Sequence, residues 1–72
     1  MNTNDLSLFV HTADSGSITR AAEQLDISTV LASAALKRLE QQLGTQLFIR
    51  STRQLRITAQ GERFLVYSLK HW

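Results

Sequence analysis

Arg50, Ser51, Thr52, Arg53 and Gln54 form an uninterrupted polar run, two guanidinium groups with two hydroxyls between them. An arginine at the tip of such a run suits a narrow, A·T-rich minor groove, whose negative potential attracts it. Thr29, Val30, Ser33, Ala34 and Lys37 recur along one side of a stretch free of proline and glycine. Side chains this short and this poor in charge are unusual on a purely solvated helix face. They suit a helix lying close against something large, and we read it as one that enters a DNA major groove. There hydroxyls and Lys37 hydrogen-bond base edges, while methyl groups meet the C5-methyl of thymine. Ser17, Thr19 and Arg20 can hold phosphate through hydroxyl, guanidinium and free backbone N–H groups. Plainer roles compete: Ser17 and Thr19 serve as helix caps, Arg53 as a solvated turn residue, and Lys37 reaches either a phosphate or a guanine.

Charge distribution points the same way. Residues 1–36 carry four acids against Arg20, a net −3, whereas residues 37–72 carry seven bases against two acids, a net +5. A basic second half fits a polyanion, though a small basic domain with a solvated surface has the same balance.

Other chemistries find little support. With 72 residues, 43% hydrophobic and 19% charged, the chain is one small globular domain near the lower size for an unstapled core. Cysteine is absent, so neither a disulfide framework nor a thiolate metal site is available. No apolar run approaches the roughly 20 residues that span a bilayer, and the start lacks a signal-peptide pattern. A soluble, reducing, cytoplasmic setting is the default. His11 and His71 are isolated, the carboxylates are scattered and read as solubilising charges, and phosphate-loop or dinucleotide patterns are missing. We expect no enzyme activity, catalytic residue, metal or cofactor.

The elements that position these residues follow from spacing and turn chemistry. Asn4 or Asp5 is placed to cap a first helix through Leu6, Phe9, Val10 and Ala13, ended by the Asp-Ser-Gly-Ser turn at 14–17. Ser17 or Thr19 starts a short second helix through Ala21, Ala22 and Leu25, and the alanine pair lets another helix cross closely. Asp26 and Ile27 make a tight connection, with Ile27 as a core anchor. Ser28 caps a third helix over 28–43, which ends at Gly44. Its buried face carries Ala32, Leu36, Leu39 and Leu43, widened by Leu31 and Ala35. Two helices joined by a short turn form a helix-turn-helix pattern. Leu47, Phe48 and Ile49 suit a strand, and Leu55 and Ile57 alternate with Arg56 as a second. The fold expected is mainly α: a winged helix-turn-helix of three helices and a two-stranded wing over residues 1–57, then a helix over 58–72 capped by Thr58. Phe64, Leu65, Leu69 and Trp72 make that last helix too apolar on one side to be left in water, so the first helix or a second chain must cover it. The abrupt end, with no helix stop, leads us to expect a piece of a longer protein.

At this level of detail the chain resembles the N-terminal DNA-binding domain of LysR-type transcriptional regulators. The resemblance rests on Leu-Phe-Val at 8–10, Gly-Ser-Ile-Thr-Arg-Ala-Ala at 16–22, Leu-Asp-Ile-Ser at 25–28 and Leu-Lys-Arg-Leu-Glu-Gln-Gln-Leu-Gly at 36–44. It continues with Leu-Phe-Ile-Arg at 47–50 and Leu-Arg-Ile-Thr-Ala-Gln-Gly at 55–61, ungapped over nearly the whole chain. It implies sequence-specific binding of double-stranded DNA, a linker helix (here its truncated start at 58–72) that pairs two subunits, and a separate C-terminal domain, absent here, that senses a small-molecule co-inducer. It implies a homodimer through Phe64, Leu65, Leu69 and Trp72, with higher oligomers in a full-length protein. Arg50 matches the family arginine after the Leu-Phe pair and is the first choice for a phosphate clamp, with a hairpin-closing surface charge as its plainer role; Thr52 joins it as a phosphate contact. The pattern breaks in the recognition helix. The family usually has Gln-Pro-Ala-Val-Ser-Arg-Gln after the capping serine, and of these only Ser33 is kept. No family base reader therefore carries over to Thr29 or Ala34, and the residues present predict T-containing half-sites with little bidentate guanine recognition. The competing class is a winged helix used as a protein–protein interaction module, with the C-terminal stripe as its working surface.

Overall fold

Three hydroxyl side chains set helix starts in the computed structural model, which describes residues 3–51 and 54–71. The elements are α1 (Thr3–Ser15), α2 (Ile18–Gln24), α3 (Thr29–Leu43), β1 (Phe48–Arg50), β2 (Leu55–Ile57) and α4 (Ala59–His71). Ser17 Oγ accepts from the Arg20 N–H at 3.1 Å and Ser28 Oγ from the Leu31 N–H at 3.1 Å. Thr58 Oγ1 accepts from the Gly61 N–H at 2.9 Å. Each satisfies a first-turn donor that has no carbonyl within its own helix.

The ends of α2 and α3 share one device. Asp26 has φ 57° and Gly44 φ 69°. After α2, the Ile27 N–H donates to Ala22 O at 3.0 Å and the Asp26 N–H to Glu23 O at 3.2 Å. After α3, the Thr45 N–H donates to Glu40 O at 3.2 Å and the Gly44 N–H to Gln41 O at 3.3 Å. These paired reverse bonds satisfy the last carbonyls and stop the helix sharply. At the first of them an aspartate takes the usual place of glycine, one of the few side chains that tolerates that region. The sharp stop makes α2 and α3 a helix-turn-helix. Antiparallel pairing of Phe48 with Ile57, Ile49 with Arg56 and Arg50 with Leu55 makes the wing.

The core gathers around Phe9, whose ring centroid lies 5.4 Å from that of Phe48 and 5.1 Å from that of Phe64. Leu8, Val10, Ala21, Ala22, Ala32, Leu36, Leu39 and Leu47 complete it. The buried Ala21–Ala22 pair lies where α2 packs on both α1 and α3, as side chains of that size permit. Thr12 and Ser68 are fully buried, yet their hydroxyls donate to Leu8 O at 2.7 Å and Phe64 O at 2.8 Å, one helical turn back. Among the described residues no buried side-chain polar atom lacks a partner.

Several local expectations are corrected. The first helix is already under way at Thr3, so Asn4 and Asp5 lie within it. Asp5 is buried, with its carboxylate 3.6 Å from the Arg38 guanidinium. Ile27 is 38% exposed and no core anchor; Leu31 is 61% and Leu43 36% exposed. Ala32, Leu36 and Leu39 set the inward direction of α3, and Leu31 stands about 100° off it, one residue's rotation. Leu43 falls in the last turn, past the packed part of the helix. The first strand starts at Phe48 rather than Leu47; Leu47 is fully buried just before it, and its carbonyl accepts from the Thr58 N–H at 2.9 Å.

Glu40 is no mere solubilising charge. Its Oε2 accepts from the Leu47 N–H at 2.7 Å and the Phe48 N–H at 3.1 Å, tying α3 to the start of the wing. Glu40→Ala strands both donors and is expected to lower stability by about 1–3 kcal/mol, measured by urea denaturation. A loss within the error of the melt contradicts that role.

Candidate nucleic-acid interface

The outward side of α3 presents Thr29, Val30, Ala34 and Lys37 to solvent, with Val30 78% exposed. Ser33 is half-buried between them and the wing. Arg50, the last residue of β1, donates from Nη1 to Ser33 Oγ at 2.8 Å, joining residues 17 apart in the chain. Beyond it the Ser51 N–H donates to Gln54 O at 2.9 Å. Ser51 Oγ donates to that same carbonyl at 3.0 Å and accepts from the Gln54 N–H at 3.1 Å. Thr52, Arg53 and Trp72, all expected at functional surfaces, lie outside the described residues.

Ser17, Ile18, Arg50, Ser51 and Leu55 line one concavity, so the start of α2 meets the root of the wing. Ser17 acts there as the cap of α2, while Thr19 and Arg20 stand exposed on its first turn. Lys37 lies further along α3, beside a hollow it shares with Glu40, Gln41 and Gln46. The structure thus brings Ser17, Ser33 and Arg50 together and leaves Lys37 apart. Sequence reasoning overlooked the Ser51–Gln54 pairing, although a serine in a turn is a known signal for such bonds. No local pattern marks the Arg50–Ser33 bond.

The C-terminal stripe divides. Phe64, expected at a dimer surface, sets its ring tilted against that of Phe9 and packs on the chain's own core together with Leu65. The first helix is therefore the cover for that half. Leu69 remains 57% exposed and lines a groove with Val10, Ala13 and Leu65. The histidines sit in local contacts: His11 Nδ1 is 2.7 Å from Ser7 O, and the His71 ring stacks 4.4 Å from that of Tyr67. Among the described residues, no cluster of metal-ligating side chains occurs and no helix is long and apolar enough to cross a membrane.

Comparison with known proteins agrees with this architecture. Residues 3–62 match the model of the bacterial regulatory helix-turn-helix protein, lysR family. The chain is 39% identical over its whole length to the HTH-type transcriptional activator IlvY of Haemophilus influenzae and covers 25% of that protein. It is 44% identical over 63 residues to the HTH-type transcriptional regulator CrgA of Neisseria meningitidis, 88% of this chain and 21% of that one. Among solved structures, a CbnR_DBD–DNA complex superposes with a TM-score of 0.94 at 31% identity, covering 99% of this chain and 82% of that one. A BenM_DBD/benA site 1 DNA complex gives 0.93 at 34%, covering 99% and 80%. The fold is a winged helix-turn-helix, the chain spans about a quarter of the length of the curated relatives it matches, and it belongs to the lysR family of bacterial regulatory helix-turn-helix proteins.

Proposed function

We propose that this chain binds double-stranded DNA sequence-specifically in transcription regulation, with α3 in the major groove and the wing, residues 50–54, at the minor groove. The observation that carries the reading is the Arg50–Ser33 hydrogen bond of 2.8 Å, which holds a cation beside the exposed face of α3. The superposition on structures solved with DNA supports it. Thr29, Val30, Ser33, Ala34 and Lys37 then face base edges and Arg53 enters the minor groove. Ser17, Thr19, Arg20, Arg50 and Thr52 take phosphates. A guanidinium carries five N–H donors, so Arg50 can keep Ser33 and still meet a phosphate oxygen. Phosphate contacts fix register and affinity, while base contacts carry preference, here for T-containing half-sites.

A mobility shift on random duplex DNA at low salt tests the reading. A complex whose affinity falls steeply with salt supports it, and no complex at any salt overturns it. Arg50→Ala is expected to weaken binding to all sequences by about tenfold and to lower the salt slope by about 1. Ser33→Ala is expected to alter sequence preference more than overall affinity. Unchanged affinity of Arg50→Ala at moderate salt refutes the clamp.

In the same reading, residues 1–57 are the DNA-binding unit and 58–72 the start of a linker helix that pairs two chains in the cytoplasm. Leu65 and Leu69 in the groove along α1 support that pairing, and the adjacent Val66 and Tyr67 are also exposed. A co-inducer is the business of a further domain of the full-length protein. Sedimentation over a concentration series checks the pairing: a mass rising toward two chains is expected, and a constant single-chain mass overturns it.

A further inference from the structure

We infer that the first two turns of α3, residues 29–36, recognise the C5-methyl group of pyrimidines rather than the identity of the base, so that 5-methylcytosine is bound in place of thymine. The inference rests on the DNA-binding reading above and specifies what that face detects. Among the described residues Val30 is the most exposed of the large apolar side chains, at 78%, in the first turn of α3. Ala34 stands one turn further along the same side, also exposed, and Thr29 adds a methyl. Residues 29–36 contain no amide, guanidinium or carboxylate, so these two turns cannot make the bidentate contacts that distinguish adenine or guanine.

The only polar side-chain groups in these two turns are the Thr29 and Ser33 hydroxyls, and Ser33 stands between Val30 and Ala34. Arg50 donates to the Ser33 hydroxyl at 2.8 Å, which occupies one lone pair and leaves its O–H and the other lone pair for DNA. Thymine and 5-methylcytosine share the methyl and differ at position 4, where one presents an acceptor and the other a donor. A hydroxyl pairs with either, and valine and alanine read neither. The shared methyl is therefore the feature this surface detects.

The test uses the chain on a site first selected from random duplexes. Each thymine of that site is replaced in turn by deoxyuridine, which removes only the methyl, and by cytosine or 5-methylcytosine paired with guanine. At one or two positions per half-site deoxyuridine is expected to weaken binding about three- to fivefold, the effect of one buried methyl. At those positions cytosine weakens binding similarly, and 5-methylcytosine restores it to within about twofold of thymine. Val30→Ala, at an exposed position that does not disturb the core, narrows the thymine–deoxyuridine difference to below about twofold at one position, with the fold checked by circular dichroism. Deoxyuridine equal to thymine everywhere, or 5-methylcytosine no better than cytosine, overturns the inference while leaving DNA binding intact. Absence of any complex, random duplex included, overturns the DNA-binding reading and this inference with it.

Discussion

Leu39→Ala is expected to lower the free energy of unfolding by about 2–5 kcal/mol. Leu39 is fully buried in the middle of α3, in the cluster that also holds Ala32, Leu36, Phe9 and Leu47. Removing three carbons there takes away apolar burial and leaves a space that the aromatic rings of Phe9, Phe48 and Phe64 cannot readily fill. A chain of this size has a total stability on the order of 4–10 kcal/mol, so the loss is a large share of it. Urea or thermal denaturation followed by circular dichroism measures it. Leu31→Ala on the same helix is the control: at 61% exposure it should change stability by no more than about 0.5 kcal/mol. Equal effects of the two changes contradict the assigned core.

Gly61→Ala is expected to destabilise by about 1–3 kcal/mol despite its helical position, where alanine is ordinarily favoured by about 1 kcal/mol. A Cβ at Gly61 meets the Leu47 carbonyl oxygen and lies 2.7 Å from Ile57 Cγ1. The carbonyl cannot easily retreat, because it accepts from the Thr58 N–H at 2.9 Å and from Thr58 Oγ1 at 3.3 Å. Relief has to come from sliding α4 away from the wing, which disturbs the cap as well. A melting temperature at or above that of the parent chain refutes this close approach.

The capping residues were the most legible part of the sequence. Ser28, Gly44 and Thr58 mark helix ends through their own side chain or backbone freedom, and such signals need no knowledge of the rest of the fold. The exposed face of α3 was legible for a related reason: the helical spacing of Ala32, Leu36 and Leu39 fixes the inner side, and Thr29, Val30, Ala34 and Lys37 fall away from it. Misreadings arose where burial depends on a partner element. Ile27 and Leu31 are as apolar as Leu36, but the left-handed turn at Asp26 and the placement of α1 leave them at the rim. Glu40 is indistinguishable in sequence from a surface carboxylate, since the N–H groups it receives belong to residues seven and eight positions on. Phe64 shows the same limit: its periodicity marks it as apolar-facing, but only the packing of α4 on α1 tells which chain covers it.

The bond between Arg50 and Ser33 fastens the wing to the helix beside it. Immobilising an arginine forfeits roughly 2 kcal/mol of rotamer freedom, and here part of that loss is incurred while the chain folds rather than when a partner arrives. In the proposed reading the guanidinium would meet an incoming duplex already aimed. The same fastening there couples selectivity to grip: Ser33→Ala, whose main expected effect is on sequence preference, would also release the Arg50 guanidinium, so a smaller loss of affinity accompanies it. In that reading, changes of target sequence would be more accessible at Val30 or Ala34, which no such tether restrains.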